Sequence, residues 1–215
     1  MNFGIIGNKN KKGIEKVIKS IISYFADRNI TYFIHDEFKE VIKSLNCGSK
    51  LLPINSLAKH SDFIISIGGD GTFLNSTRIV KNYDKPIIGI NLGTLGFMSE
   101  VMPSEIKGFF GDILKNKYKL LDLHLAKCTV NKKYAFDALN EVVIDKCDSI
   151  KMVELGIYYN KEFVGRFYAD GVLISTPTGS TGYSLSSGGP IITPFSKVFI
   201  ITPICPHSLN FRPVI

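Results

Sequence analysis

The sequence has no tryptophan, few cysteines and no long apolar run. No two cysteines form a C-x-x-C pair and no His/Cys spacing matches a zinc site, so free thiols in a reducing compartment are the simplest interpretation. The cysteines are Cys47, Cys128, Cys147 and Cys205. No apolar run approaches the ~18 residues of a membrane-spanning helix, and the run at the start is too short for a signal peptide. We therefore expect a cytosolic, cytoplasmic protein.

Two common nucleotide-binding motifs are also missing. The Walker A pattern G-x-x-x-x-G-K-[ST] does not occur, which excludes a P-loop enzyme. The Rossmann pattern G-x-G-x-x-G is absent too, and its nearest approach, at 4–7, has the wrong spacing, which disfavours a hydride-transferring dehydrogenase. The histidines show neither metal-site nor triad spacing, so we expect most of them to be structural; they are His35, His60, His124 and His207.

Positive charge is in surplus. Lys and Arg number 26 against 19 Asp and Glu, which gives a formal net charge of +7. This surplus suits polyanionic ligands such as nucleotides, but a solvated surface of lysines gives the same count. Charge therefore leaves both interpretations open. With 45% hydrophobic and 21% charged residues, the composition is that of an ordinary globular protein.

Strand-like and helix-like segments alternate in the first half of the chain. Residues 14–25 carry apolar side chains on one face at the helical period, and 63–67 reads as a strand covered on both faces. Further strands are predicted at 2–6, 30–34 and 86–90, and further helices at 37–45, 73–80 and 103–114. This alternation predicts a parallel sheet with helices on both sides, an α/β domain over residues 1–117.

The pattern changes to strands alone near residue 118. Predicted strands cover 121–130, 134–139, 141–145, 152–159, 163–168 and 172–175. Short strands at this spacing indicate a β-rich domain over residues 118–215, either sandwich-like or barrel-like, and we expect the sandwich-like form.

The segment Gly68–Thr72 follows the end of a buried strand, where a helix should begin. In an open α/β sheet, ligands bind at this edge, and a helix N-terminus offers amide groups to phosphate. The one acid among its glycines, Asp70, has room to reach a substrate hydroxyl. The alternative is a tight turn in which Asp70 is the N-cap of the helix.

Three further segments combine polar side chains with apolar flanks. The loop 91–97 should lie beside the first motif, or else form a simple turn with Phe97 in the core. The pair at 140–141 lies in a strand and could bind ribose hydroxyls, or else occupy an exposed strand face. The stretch 170–190 is predicted to be a long hydroxyl-rich loop in which Tyr183 stacks on a base, with a flexible linker as the alternative.

Together these segments resemble the NAD kinase family. The resembling residues are 68–72, 86–91, 95–97, 139–143, 170–171, 175–181, 183–186, 188–191 and 202–209. The first of them alone is weak, because lipid kinases and phosphofructokinases have a similar motif. The sequence Ser-Thr-Pro-Thr-Gly-Ser-Thr at 175–181 is far more specific, and the match runs in family order through nearly the whole chain.

The resemblance implies a Rossmann-like N-terminal domain followed by a β-rich C-terminal domain. It also implies phosphorylation of the 2′-hydroxyl of the adenosine ribose of NAD, with ATP or sometimes polyphosphate as donor and with a divalent cation, expected to be Mg²⁺. It implies that Asp70 is the general base. It also implies a homo-oligomer, a dimer or tetramer, with small-molecule nucleotides as partners rather than nucleic acid or membrane. The binding residues carried over by position are Gly69, Gly71, Thr72, Phe97, Asn140, Glu141, Lys151, Asp170, Thr178, Thr181, Gly182, Tyr183, Ser184, Leu185 and Ser186. No metal ligands are assigned.

Three departures separate this sequence from the family pattern. Gly182 stands where the family usually has alanine. Asn75 stands where many members have a basic residue, so one phosphate contact is either missing or supplied by Arg78 or a lysine. The family continues with further strands beyond residue 215, so we expect the second domain to be incomplete at its C-terminus. The alternatives to an NAD kinase are a lipid kinase of the same superfamily and a non-catalytic nucleotide-binding relic.

Overall fold

A computed structural model describes residues 1–43, 50–93, 96–207 and 211–215. The chain divides into two compact units, Met1–Leu120 and Leu121–Ile215. The first is an α/β unit and the second a β-rich unit. No helix in the described part of the chain is both long and apolar enough to span a membrane.

The α/β unit is built on a five-stranded parallel sheet in the order β3-β2-β1-β4-β5. Its strands are β1 (Asn2–Gly7), β2 (Thr31–His35), β3 (Lys50–Leu52), β4 (Phe63–Gly68) and β5 (Ile87–Asn91). The interior strand β4 is buried at every position. Such burial on both faces requires helices on both sides of the sheet.

Five helices of the described residues accompany this sheet. They are α1 (Ile14–Ala26), α2 (Lys39–Lys43), α3 (Ile54–His60), α4 (Asp70–Val80) and α5 (Ile106–Leu114). Short 3₁₀ turns precede α2 at Asp36–Phe38 and follow α4 at Lys81–Tyr83. Side chains of α1 and α5 share one core cluster with Ile65 of β4, whereas α3 and the end of α4 share another with Ile64. The alternation along β4 therefore feeds a core on each face of the sheet.

Most of the predicted elements of this unit are confirmed. β1, β2, β4, β5 and α1 agree with the sequence pattern to within one or two residues. The helix predicted at 73–80 begins at Asp70, and the one predicted at 103–114 begins at Ile106. The helix predicted at 37–45 is a 3₁₀ turn followed by α2, and its last two predicted positions lie outside the described residues. The pattern missed β3 and α3.

The β-rich unit contains three antiparallel sheets. Its strands are β6 (Ala126–Val130), β7 (Lys133–Ala138), β8 (Glu141–Asp145), β9 (Val153–Tyr159), β10 (Glu162–Ala169), β11 (Gly171–Ser175) and β12 (Ile200–Ile204). They form β6-β7, β9-β10 and β12-β11-β8. The hairpins β6-β7 and β9-β10 turn through Asn131-Lys132 and Asn160-Lys161, all at positive φ, the two-residue geometry that asparagine favours. The predicted fold class is confirmed.

The long loop predicted at 170–190 is wrong. The segment begins with β11, which confirms the strand predicted at 172–175, continues as a 3₁₀ turn (Thr178–Thr181) and then forms a one-turn helix, α6 (Tyr183–Ser186). Residues 171–180 are almost all buried, which also contradicts the flexible linker. The strand predicted at 121–130 is ordered as strand only from Ala126, and β12 was not predicted.

Candidate functional site

Asp70 lies at the carboxyl edge of the parallel sheet, where β4 ends and α4 begins. Its Oδ2 accepts the backbone N–H of Phe97 at 2.9 Å. Its Oδ1 accepts those of Met98 and Ser99, each at 3.1 Å. The N-cap of α4 is Gly69, so the alternative role of Asp70 as helix cap is wrong. The carboxylate instead ties the start of the helix to the loop that follows β5.

That loop approaches the carboxylate closely. A Cβ on Gly96 would overlap the carboxylate of Asp70, so only glycine permits the contact. The buried Asn91 anchors the start of the loop by accepting the backbone N–H of Gly93 at 2.7 Å. Residues 94 and 95 of this predicted motif lie outside the described residues. The Phe97 side chain is 68% exposed, so the alternative that places it in the core is wrong.

A cavity of about 570 Å³ opens at this edge of the sheet. Its size is within the range of ligand sites. The structure brings four of the predicted residues together around it, Gly69, Asp70, Gly71 and Thr72. It adds residues that the motif analysis missed, namely Asn8, Lys9, Asn10, Lys11 and Glu37. The first four of these could have been predicted from their position in the loop after β1. Since β1 lies beside β4 and parallel strands end at the same edge, that loop lies beside the loop that follows β4.

In the β-rich unit, Asn140 and Glu141 lie where β8 begins, held against β11. Thr176 makes the connection, since its N–H donates to the Asn140 carbonyl at 2.8 Å and its hydroxyl donates to the Leu139 carbonyl. The same hydroxyl accepts the N–H of Gly179 at 3.1 Å, which starts the 3₁₀ turn. The threonine of the Ser-Thr-Pro-Thr motif therefore has a structural role that its sequence position did not reveal.

Glu141 carries an unsatisfied polar atom. It is half-buried, and burial raises the pKa of its carboxyl group. Its Oε2 is buried without a hydrogen-bond partner among the described residues, and so is Oγ of Ser175, which lies opposite it across β8 and β11. A Cβ on Gly182 would lie 3.3 Å from both Glu141 Oε2 and Asn140 Nδ2. The fold therefore brings together Asn140, Glu141 and Gly182. The unpartnered oxygens of Glu141 and Ser175 at this place can still accept hydrogen bonds.

The remaining predicted residues of this unit are arranged less uniformly. Ser184 is buried and its hydroxyl contacts that of Thr202 at 2.9 Å, which fixes α6 on β12. Thr178 is buried, Thr181 and Gly182 are partly exposed, and Tyr183, Leu185 and Ser186 are exposed along α6. Asp170 pairs with Lys146 at 2.7 Å, a partner that the sequence did not suggest. Lys151 is exposed, and its described contacts are backbone ones to Ser149.

The part of the chain that the structure describes contains no group of three His, Cys, Asp or Glu side chains able to hold a metal. Mg²⁺ in phosphoryl-transfer sites is usually held by one or two carboxylates together with substrate phosphates. Asp70 and Glu37 both line the cavity. The residues present therefore fit a cation that arrives with a polyphosphate substrate, not a resident metal cage.

Comparison with known proteins covers both units. The ATP-NAD kinase N-terminal domain matches residues 3–118, and the ATP-NAD kinase C-terminal domain matches residues 139–215. An NAD kinase of Flavobacterium psychrophilum is 38% identical over 224 residues, covering 100% of this chain and 76% of the relative. One of Fusobacterium nucleatum is 40% identical over 217 residues, covering 100% and 73%.

Two solved structures have the same fold. Yeast NADH kinase complexed with NADH superposes with a TM-score of 0.87 at 29% identity, covering 100% of this chain and 68% of the other. An NAD kinase from Archaeoglobus fulgidus in complex with ATP superposes with a TM-score of 0.77 at 24% identity, covering 100% and 76%, which supports the fold alone. Since two family domains match in order and relatives match over the whole of this chain, the chain belongs to the NAD kinase family.

Proposed function

We propose that this chain transfers the terminal phosphate of ATP to the 2′-hydroxyl of the adenosine ribose of NAD, giving NADP and releasing ADP. Family membership supports the reaction. The observation that carries the mechanism is the carboxylate of Asp70, held by three backbone amides at the mouth of a cavity at the sheet edge.

Asp70 is proposed to orient the ribose hydroxyl and to accept its proton as the new bond forms. A hydroxyl is a poor nucleophile at neutral pH, and phosphoryl transfer depends mainly on alignment and charge stabilisation. A carboxylate oxygen has two acceptor sites. Oδ1 already accepts two amides and Oδ2 accepts one. We therefore assign the free site on Oδ2 as the one that receives the hydroxyl proton.

The donor phosphates are proposed to bind at the start of α4. The amides of Thr72 and Phe73 both donate to the Gly69 carbonyl, at 2.9 and 3.0 Å. The amides of Asp70 and Gly71 therefore remain at the positive end of the helix dipole to bind phosphate oxygens. A Mg²⁺ ion bound with ATP would neutralise phosphate charge. Glu37 would be the carboxylate that holds this ion, because the other carboxylate of the cavity, Asp70, is assigned as the base.

The dinucleotide is proposed to bind through the β-rich unit together with Phe97. The unpartnered oxygens of Glu141 and Ser175 support this, because ribose hydroxyls could supply their missing hydrogen bonds. The exposed ring of Tyr183 is available to stack on a base. The rest of the proposed set is Asn140, Lys151, Asp170, Thr178, Thr181, Gly182, Ser184, Leu185 and Ser186.

The same proposal includes metal dependence, a cytoplasmic location and a division near residue 117 into catalytic and dinucleotide-binding domains. It also includes homo-oligomerisation. The last is supported by exposed aromatic side chains on the β9-β10 ribbon, where Tyr158, Tyr159 and Phe163 are 62%, 69% and 57% exposed. Aromatic patches of this kind are typical of subunit interfaces. Light scattering of the purified chain should therefore give the mass of a dimer or tetramer, and a monomer would contradict that part of the proposal.

The activity is tested by one coupled assay of the purified chain with NAD, ATP and Mg²⁺. We expect NADP formation that stops on addition of a chelator, and no phosphorylation of diacylglycerol or of a sphingoid base. Phosphorylation of a lipid would favour the lipid kinase alternative. Binding of NAD by calorimetry with no NADP formed would identify the chain as a non-catalytic relic.

A further inference from the structure

The cavity beside Asp70 contains two lysines for which the proposed mechanism has no role. Lys9 and Lys11 both line it, and they are the only cationic side chains among its described lining residues. Asn75 of α4 also lines the cavity but is uncharged, and Arg78 does not line it. We propose that Lys9 and Lys11 bind the polyphosphate chain of the donor. The inference rests on the proposed function and deepens it.

The fold holds the two lysines at this edge. The backbone N–H of Asn8 donates to the carbonyl of Ile67 at 3.1 Å, next to the last residue of β4. The Asn8 side chain accepts the N–H of Asn10 at 3.0 Å, and the Asn8 carbonyl accepts that of Lys11 at 3.0 Å. These bonds form a local turn, so the loop is tethered to the strand that leads directly into Gly69 and Asp70.

The charges around the cavity require such cations. Glu37 and Asp70 both face it, and a triphosphate would add several negative charges to theirs. The amides at the start of α4 contribute only the partial positive charge of a helix end. Two lysines supply full positive charges on long, exposed side chains, which suit a phosphate chain as point charges rather than as a rigid fork. They therefore replace the basic residue that position 75 lacks.

The direct test is the binding of inorganic tripolyphosphate, measured by calorimetry, because it does not depend on turnover. We expect the unmodified chain to bind it, and the double variant Lys9→Ala/Lys11→Ala to bind at least about tenfold more weakly, the loss of two charge-assisted contacts at an exposed site. The matched control is Lys12→Ala, a neighbouring exposed lysine outside the cavity lining, which should change affinity less than about twofold.

Steady-state kinetics provide the second measurement. The double variant should raise the KM for ATP by about tenfold and leave the KM for NAD within about twofold. The inference is overturned if the unmodified chain fails to bind tripolyphosphate, if the double variant binds it equally well, or if Lys12→Ala loses as much. Tripolyphosphate binding that depends on both lysines, in a chain that makes no NADP, would instead contradict the proposed function and leave this site standing.

Discussion

The two carboxylates proposed to act on the dinucleotide, Asp70 and Glu141, have opposite surroundings. Asp70, in the α/β unit, accepts three backbone hydrogen bonds and is therefore fixed before any substrate binds. Glu141, in the β-rich unit, has a buried oxygen without a partner in the described part of the chain, and burial raises its pKa. The group proposed for chemistry is therefore preorganised, whereas the group proposed for binding obtains its missing hydrogen bond from the ligand.

The cores of the two units show the same contrast. In the α/β unit the rings of Phe3, Phe25 and Phe110 pack with centroids 4.8 to 5.5 Å apart inside a large buried cluster. The buried cluster of the β-rich unit is small and centres on Phe167 and Val172. The α/β unit can therefore position Asp70 with its own packing.

The largest effect should come from removing the preorganised base. Asp70→Asn should lower kcat by a factor of about 100 or more, because the amide cannot accept the hydroxyl proton. The Kd for NAD, measured by calorimetry, should stay within about threefold, since the base acts mainly in the transition state. Asp27→Asn, an exposed residue at the end of α1, is the control. Near-normal turnover of Asp70→Asn would remove Asp70 from the role.

A smaller but still large effect should come from displacing Asp70 without changing it. Gly96→Ala places a methyl group on the carboxylate, and a misplacement of about 1 Å can lower a rate by up to ~100-fold. We expect kcat to fall by about tenfold or more. Gly108→Ala on α5, where a Cβ meets nothing within 4 Å, should leave kcat unchanged. Equal rates in both variants would show that the close approach of the loop is unimportant.

We expect Glu141 to make the free energy of unfolding depend on pH. Because burial raises the pKa of Glu141, the folded chain retains a proton at this group that the unfolded chain has already lost. The free energy of unfolding therefore contains a contribution that is complete below the ordinary glutamate pKa of about 4.3 and is lost as pH rises through the raised value.

Glu141→Gln removes that dependence. The difference between the melting temperature of this variant and that of the unmodified chain should be near zero below about pH 4 and should become positive as pH rises. The KM for NAD should increase. Glu162→Gln, an exposed residue of the same unit, is the control for both measurements. A melting-temperature difference that does not vary with pH would contradict the assignment of a raised pKa to Glu141.

The smallest effect should come from Gly182→Ala, which supplies the alanine usual in the family. The new methyl group would lie 3.3 Å from Asn140 Nδ2 and Glu141 Oε2, a tight contact that a small side-chain shift relieves. We expect the KM for NAD to change by less than about twofold and the free energy of unfolding by less than about 1 kcal/mol. A tenfold rise in KM would show that the dinucleotide needs the space beside Glu141.

The sequence predicts best where a local pattern has one meaning. The apolar period of α1 correctly predicted a helix, and the apolar run of β4 correctly predicted a buried strand, because these structures bury those side chains. β3 and α3 escaped prediction because three and seven residues are too short to show a period. The stretch 170–190 looked like a loop because its Gly, Ser and Thr residues disfavour regular structure, yet the hydroxyls of Thr176 and Ser184 fold it through distant partners.

The candidate site shows the same limit. Asp70 was found from its motif, since glycines around one acid after a buried strand carry a local meaning. Its three amide donors, 27 to 29 residues away, could not be read from that motif. Lys9 and Lys11 were visible as charge, but their place beside Gly69 depends on the pairing of β1 with β4, which is a property of the folded sheet.

The most direct test is a crystal structure of the Asp70→Asn variant with NAD bound. The 2′-oxygen of the adenosine ribose should lie about 2.6–3.2 Å from the side chain at position 70. A bound dinucleotide whose 2′-oxygen lies beyond reach of position 70 would contradict the role of the base.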